Sequence, residues 1–485
     1  MSLARKASGA AVKLVGSRHL EPDHSPAFDF VPRPRANPAQ LAPADRRTLG
    51  KLGRVAQRLR AKDISCTELL EEALAAVELH DASLNAFAEL LDAPARVQAK
   101  ALDEELAGDG CRGPLHGIPI SIKDVIHVAS VPTRAGSSAY RVVPEKDASA
   151  VALLRAAGAV FVGKATTHEF ALGVTSPQSR NPHDPTRIPG GSSGGSAISI
   201  ATGMCLGSLG TDTRASIRVP AALSGVVGFK GTLGLVPADG LVQLSWSMDH
   251  VAPMAGSVAD AGILFDVLAG TQLSTFCGSN ASALRIGVPG GGIEGADDEV
   301  LSAFTRARSI LDRIAGDVSP VGGPDAADFE VANAAGLLVS RCEAAAYHRR
   351  LGLERGGYWP ETRDQLDAAD EVAATDYLDA QRLRAILAHR MLRVFDDIDV
   401  LAMPTCLVPA PKVEQADDYL LILSRNAILW SFIGFPAVSI PCGTTAQGLP
   451  IGLQLVAPPQ EESSLVALGA AFESAFEPDR ADSSA

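Results

Sequence analysis

Two glycine- and serine-rich loops bracket a run of small apolar residues, and that combination narrows what the chain can become. The first loop reads Gly190-Gly191-Ser192-Ser193-Gly194-Gly195-Ser196. The second reads Gly210-Thr211-Asp212-Thr213-Arg214-Ala215-Ser216 and continues as Ile217-Arg218-Val219-Pro220-Ala221. Glycine is dense where the backbone takes conformations that a side chain would forbid. Such loops either turn tightly or let backbone N–H groups approach a ligand. A turn suffices for one Gly-Ser loop; two in one neighbourhood make a binding site a competing reading. The segment is too short and too Gly-interrupted to cross a bilayer. Residues 197–209 have the small side chains of a helix packed closely on a sheet.

Two general motifs fit this region, and both fail on context. Gly191-Ser192-Ser193-Gly194-Gly195 matches the G-x-S-x-G nucleophile elbow, which needs a strand before it and an Asp and a His after it. Pro182, Pro185 and Pro189 precede it instead, which describes a loop. Residues 158–165 match G-x-x-x-x-G-K, with Ala165 where Ser or Thr would hold magnesium. Their interior, Ala159-Val160-Phe161-Val162, reads as a buried strand and not as a phosphate cradle.

Lys123 is the outlier of the first strand-like run, residues 118–126, where it sits among Ile and Val. Alone, it would read as a gatekeeper on an edge strand. The functional reading is a buried base. An ordinary lysine titrates near 10.4, and apolar burial disfavours its ammonium; reaching about 7 takes roughly 4 to 5 kcal/mol of differential interaction. Lys164, after the next strand, reads as a strand-end or surface lysine.

Periodicity predicts helices over 48–59, from Ser65 or Thr67, over 93–106, and over 149–157 leading into the strand at 159–162. Further strands are expected at 226–229, 284–289, 399–404, 437–441 and 453–456. Residues 258–269 read as a helix capped by Ser257, and residues 326–395 as mostly helical, with Leu383, Ile386, Leu387, Val394 and Phe395 forming one stripe. In 485 residues an apolar fraction of 46% supplies a sizeable core. The net charge of −13 argues against a direct, nonspecific nucleic-acid role, which needs a basic face. The seven cysteines are odd in number, scattered and without C-x-x-C spacing, so reduced intracellular thiols are expected, with no disulfide framework or zinc site. His168-Glu169 lacks the second histidine of H-E-x-x-H. Residues 1–16 hold no signal-peptide apolar core and no membrane span is seen; a cytoplasmic location is expected.

A resemblance runs in order through most of the chain. It begins near Asp63-Ile64-Ser65-Cys66-Thr67-Glu68-Leu69, continues through residues 113–124 (Gly113-Pro114-Leu115-His116-Gly117-Ile118-Pro119 into Lys123-Asp124), and takes in both serine loops. It then covers Met248-Asp249-His250-Val251-Ala252-Pro253-Met254, Gly434-Phe435-Pro436-Ala437 and Gly448-Leu449-Pro450-Ile451-Gly452. On these motifs the sequence resembles the amidase signature family of serine hydrolases.

The resemblance implies an α/β fold: a single large domain with a twisted mixed β-sheet flanked by helices on both faces. Residues 1–45 would be an N-terminal arm or linker, 46–478 the domain, and 479–485 a polar tail. Within the domain, 46–110 is a helical entry, 113–270 the catalytic core, and 284–470 a helical insertion with the remaining strands. The resemblance further implies a catalytic triad of Lys123 as base, Ser192 as the bridging serine on a cis peptide, and Ser216 as nucleophile. Backbone N–H groups of Thr213, Arg214, Ala215 and Ser216 would form the oxyanion hole. No metal or cofactor is called for. Ser193, Ser196, Asp212, Arg218 and His250 would support the loops. The family usually has Gly-Gly where this chain has Arg214-Ala215. That leaves open whether either position needs positive φ, and whether the guanidinium favours carboxylate-bearing amides or points to solvent. The implied activity is hydrolysis of a small-molecule carboxylic amide through an acyl-enzyme, by a protein that touches neither nucleic acid nor membrane and is compatible with a homodimer. Two alternatives stand beside it: the glutaminase (A-type) subunit of a tRNA-dependent amidotransferase, and a catalytically inactive binding homologue.

Overall fold

Runs such as Ala159-Val160-Phe161-Val162 and Val400-Leu401-Ala402-Met403 lack the polar alternation of a half-exposed strand, so a sheet built from them must be covered on both faces. The computed structural model describes residues 3–17, 32–35 and 37–482 and shows that arrangement. Its strands are β1 (Phe87–Leu90), β2 (Pro119–Lys123), β3 (Val160–Ala165), β4 (Gly207–Asp212), β5 (Val227–Lys230) and β6 (His250–Ala255). They continue as β7 (Arg285–Pro289), β8 (Asp317–Val321), β9 (Val400–Pro404), β10 (Ala437–Thr444) and β11 (Pro450–Val456). All belong to one sheet in the order β1-β3-β2-β4-β6-β5-β10-β11-β9-β7-β8. Pairing is parallel across β3-β2-β4 and across β9-β7-β8, and antiparallel elsewhere, so the sheet is mixed. Every residue of β2, β3, β4 and β6 is buried.

Helices cover those strands, and several begin where their capping residues dictate. Ser65 and Glu68 form a capping box at the start of Cys66–Leu84. Ser257 Oγ accepts from Asp260 N and opens Val258–Ala269, which packs on β5 and β6. The helix Gly194–Ala201 lies on β2, β3 and β4. A Cβ on its Gly195 would sit 2.2 Å from the Ala86 carbonyl oxygen, so glycine is what allows this approach. Buried hydroxyls then pin it down: Ser121 Oγ bonds Ser199 Oγ at 2.9 Å and Ser208 Oγ at 2.7 Å.

Three expectations change. Residues 197–209, expected as a single helix, divide between the end of that helix and β4. Gly207 and Gly210 give β4 no strand propensity, and pairing with β2 and β6 imposes it. Lys164 is neither exposed nor at the surface: it is wholly buried in β3, 2.9 Å from Asp124 Oδ1. Within the expected arm 1–45, Leu3–Gly16 is a helix with Ala11 and Val15 buried against the helices of residues 326–395. Residues 1–2, 18–31 and 36 of that arm, and 483–485 of the expected tail, lie outside the described residues, while the last helix runs Glu462–Asp482. Among the described residues no helix is long and apolar enough to cross a membrane.

Candidate active site

The C-terminal end of β2 delivers Lys123 into the protein interior with none of its surface exposed. Its Nζ donates to Ser192 Oγ at 2.7 Å and to Thr211 Oγ1 at 2.8 Å. Burial pushes the amine down to about 7, against the opposing pull of the Asp249 and Asp212 charges. Near neutrality a large share of Lys123 is therefore the free amine, whose lone pair can take a hydroxyl proton.

The first serine loop carries Ser192 on the cis peptide Gly191–Ser192. Its carbonyl oxygen accepts from His168 N at 3.2 Å and from Ser176 Oγ at 3.2 Å. A Cβ on Gly191 would lie 2.6 Å from Ser176 Oγ, so the loop closes on that hydroxyl only because the position is glycine. The second loop follows β4 and is tied to the first through the backbone: Ser193 N donates to Ser216 O at 3.2 Å, and Ser193 Oγ to Thr211 O at 3.2 Å.

Ser216 is 3% exposed, and its hydroxyl makes no hydrogen bond among the described residues. Lys123 and Ser192 are thus in direct contact, whereas Ser216 is joined to them by main chain and not by a hydroxyl–hydroxyl bond. Contacts of this kind often tighten only once substrate is bound. Neither Arg214 nor Ala215 has positive φ, so replacing the usual glycines costs this loop no conformational strain. The N–H groups of residues 213–216 donate to no acceptor among the described residues.

Beneath the loop, Asp212 and Arg218 form a fully buried ion pair, with Arg218 Nε 3.0 Å from Asp212 Oδ2. Ser431 Oγ and Ile217 N also donate to that carboxylate. Burial alone would raise Asp212, but the Arg218 guanidinium holds it well below the usual carboxylate range. Arg218 also reaches Gln454 Oε1 at 2.7 Å, tying the loop to β11. His250 Nδ1 lies 2.7 Å from Met248 O and 3.0 Å from Asp212 O, so that nitrogen carries the proton. Asp212→Asn leaves a buried guanidinium without its counter-charge, and a loss of about 3 to 5 kcal/mol of unfolding free energy is expected in denaturant titration.

Three site residues escaped sequence reasoning. Thr211, in β4, and Ser176 gave no signal because a lone hydroxyl carries none. Asp249 lay inside a quoted motif, yet nothing in its spacing shows that Thr213 Oγ1 donates to it at 2.6 Å or that Leu244 N and Ser245 N do so too. Burial pushes Asp249 up to about 7 despite those bonds. Among the described residues no three His, Cys, Asp or Glu side chains converge as a metal site. Arg214 turns its side chain into a cavity of about 480 Å³ that Leu172, Arg341 and Glu361 also line.

One mixed sheet brings a lysine and two serine loops together in the interior of an α/β protein. A family model described as Amidase matches residues 68–466. An amidase from Pseudomonas putida is 34% identical over 449 residues, spanning 87% of this chain and 95% of that protein. The A subunit of the glutamyl-tRNA(Gln) amidotransferase of Chloroflexus aurantiacus is 35% identical over 461 residues, spanning 86% and 94%. A crystal structure of an amidase superposes with a TM-score of 0.81 at 35% identity, covering 88% of this chain and all (100%) of the other. The native peptide amidase of Stenotrophomonas maltophilia gives 0.76 at 27% identity, covering 88% and 96%. The chain belongs to the amidase signature family.

Proposed function

We propose that this protein hydrolyses a carboxylic amide to acid and ammonia or amine through an acyl-enzyme on Ser216. The observation that carries the reading is the 2.7 Å contact between a buried Lys123 amine and Ser192 Oγ, in a loop bonded to the Ser216 backbone. A serine hydroxyl is a weak nucleophile until a base takes its proton. In the forward step Ser216 Oγ adds to the amide carbon, its proton passes to Ser192, and the Ser192 proton passes to Lys123. The oxygen left with the negative charge is met by N–H groups of residues 213–216, donors that need not reorganise. Collapse expels the amine, which takes the proton returned along the same row. Water then repeats the sequence on the acyl-enzyme and releases the acid. An amide-library screen of the purified chain, with fluorophosphonate labelling of Ser216, tests the reading; an unlabelled Ser216 in a folded protein defeats it.

The pH dependence follows from the sign of the lysine shift. Protonated Lys123 cannot accept a proton, so kcat/KM is full above pH 7 and falls as pH drops through about 7. Asp249 favours the ammonium by its charge, so Asp249→Asn is expected to move the acid limb to lower pH. A pH–rate profile of both proteins checks this; an unmoved limb removes Asp249 from the electrostatics of the base.

The 35% identity to the amidotransferase protein of Chloroflexus aurantiacus favours a second reading, a glutaminase that works with a tRNA-binding partner. Glutaminase activity seen only with a copurified second chain would select it.

A further inference from the structure

We propose that the Arg214 side chain, with Arg341 behind it, is a seat for a carboxylate, so that the amide hydrolysed at Ser216 carries one carboxylate a few bonds from its scissile carbonyl. This rests on the reading of Ser216 as nucleophile and names the substrate class for that site. Consecutive Cα atoms are about 3.8 Å apart, so the Arg214 Cα lies within about 7.6 Å of that of Ser216. The loop that presents the nucleophile therefore also presents the guanidinium.

Three observations converge. Arg214 is mostly enclosed, yet its guanidinium has no hydrogen-bond or ion-pair partner among the described residues. A guanidinium has five donors in a planar fork that matches a carboxylate, and on this half-buried residue the fork is open to a molecule entering the cavity. Second, the buried Arg341 lines the same cavity, close enough that the Arg214 charge disfavours its own. Arg341 is held in place by Ser8 Oγ at 2.9 Å and Gln365 Oε1 at 3.1 Å. Two cations and one carboxylate, Glu361, leave the lining of this inner end with an excess positive charge that a bound carboxylate balances. Third, part of the remaining wall is apolar, with Leu172, Val174 and Leu337 suited to a short hydrocarbon between carboxylate and amide.

The cavity's own carboxylates do not fill the seat. The Glu361 charge favours both guanidinium ions but makes no ion pair with Arg214: its Oε1 accepts from Gln365 Nε2 at 3.1 Å and its Oε2 lies 3.5 Å from His168 Nε2. Asp417 and Asp418 are exposed and Asp364 is half-buried, which puts negative charge at the outer end of the cavity. Those groups repel polyanions and leave the inner end to a single carboxylate. Burial lowers Arg214 only to about 10, so it stays charged at neutral pH.

Calorimetric binding to Ser216→Ala protein, which cannot form the acyl-enzyme, gives the test. Succinamate, a carboxylate-bearing amide, is compared with butyramide, a neutral amide of similar length. At least tenfold tighter binding of succinamate is expected. That advantage should fall below threefold in Ser216→Ala/Arg214→Gln and survive in part in Ser216→Ala/Arg214→Lys, which keeps the charge but not the fork. Circular dichroism shows that each variant is folded, and the lysine variant serves if the glutamine variant is not. Equal binding of the two amides, or an advantage that survives Arg214→Gln, overturns the proposal. Fluorophosphonate labelling of the wild type is read separately. A carboxylate advantage without labelling defeats the catalytic reading and leaves the seat, whereas labelling without an advantage does the reverse.

Discussion

Ser216→Ala is expected to lower kcat/KM for any accepted amide by on the order of 10⁵-fold or more, about 7 kcal/mol of transition-state stabilisation. On the proposed mechanism no acyl-enzyme forms without its Oγ, and what remains is the contribution of binding and of the proposed oxyanion donors. The fold should hardly notice. The Ser216 hydroxyl makes no hydrogen bond among the described residues, so its removal leaves no orphaned partner. A change within about 0.5 kcal/mol of unfolding free energy is expected. Steady-state kinetics and denaturant titration on the same preparation measure both. Turnover within tenfold of the wild type would move the nucleophile elsewhere, and a large loss of stability would make the kinetic loss uninformative about chemistry.

The sequence carried this site unevenly, and the reasons are physical. Lys123 stood out because a charge inside an Ile/Val run is costly unless something uses it, and the structure buries it wholly against Ser192. The helix Val258–Ala269 was legible to its cap, since Ser257 and the apolar face are local signals. β4 was not legible: a strand reading Gly-Ser-Leu-Gly-Thr-Asp has no propensity of its own and exists because β2 and β6 flank it. Lys164 looked like an end-of-strand charge because its partner, Asp124, is far away in sequence and close only in the fold. The direction of the Arg214 side chain was likewise undecidable from sequence. A loop residue beside a nucleophile can face solvent or cavity, and the packing of the helices in residues 326–395 decides. The family resemblance supplied the order of the motifs, but only three-dimensional proximity couples Asp249 to Thr213.

Lys123→Met is the complementary test, because it removes the base while keeping roughly the length and the buried, flexible character of the side chain. Loss of a positioned base is expected to cost on the order of 10⁴-fold in kcat. The residual activity should be flat where the wild type titrates near 7, since the group that titrates is gone. Stability is not expected to fall in step: Ser192 Oγ and Thr211 Oγ1 lose a donor, but the protein no longer desolvates an amine. The decisive measurement is a double-mutant cycle with Ser192→Ala. If lysine and bridging serine pass one proton in sequence, removing both costs little more than removing either. Independent, additive losses would mean that Ser192 holds the loop while Lys123 reaches Ser216 by another route. An acid limb that persists near pH 7 in Lys123→Met would assign that titration to Asp249, the other group that burial brings to about 7.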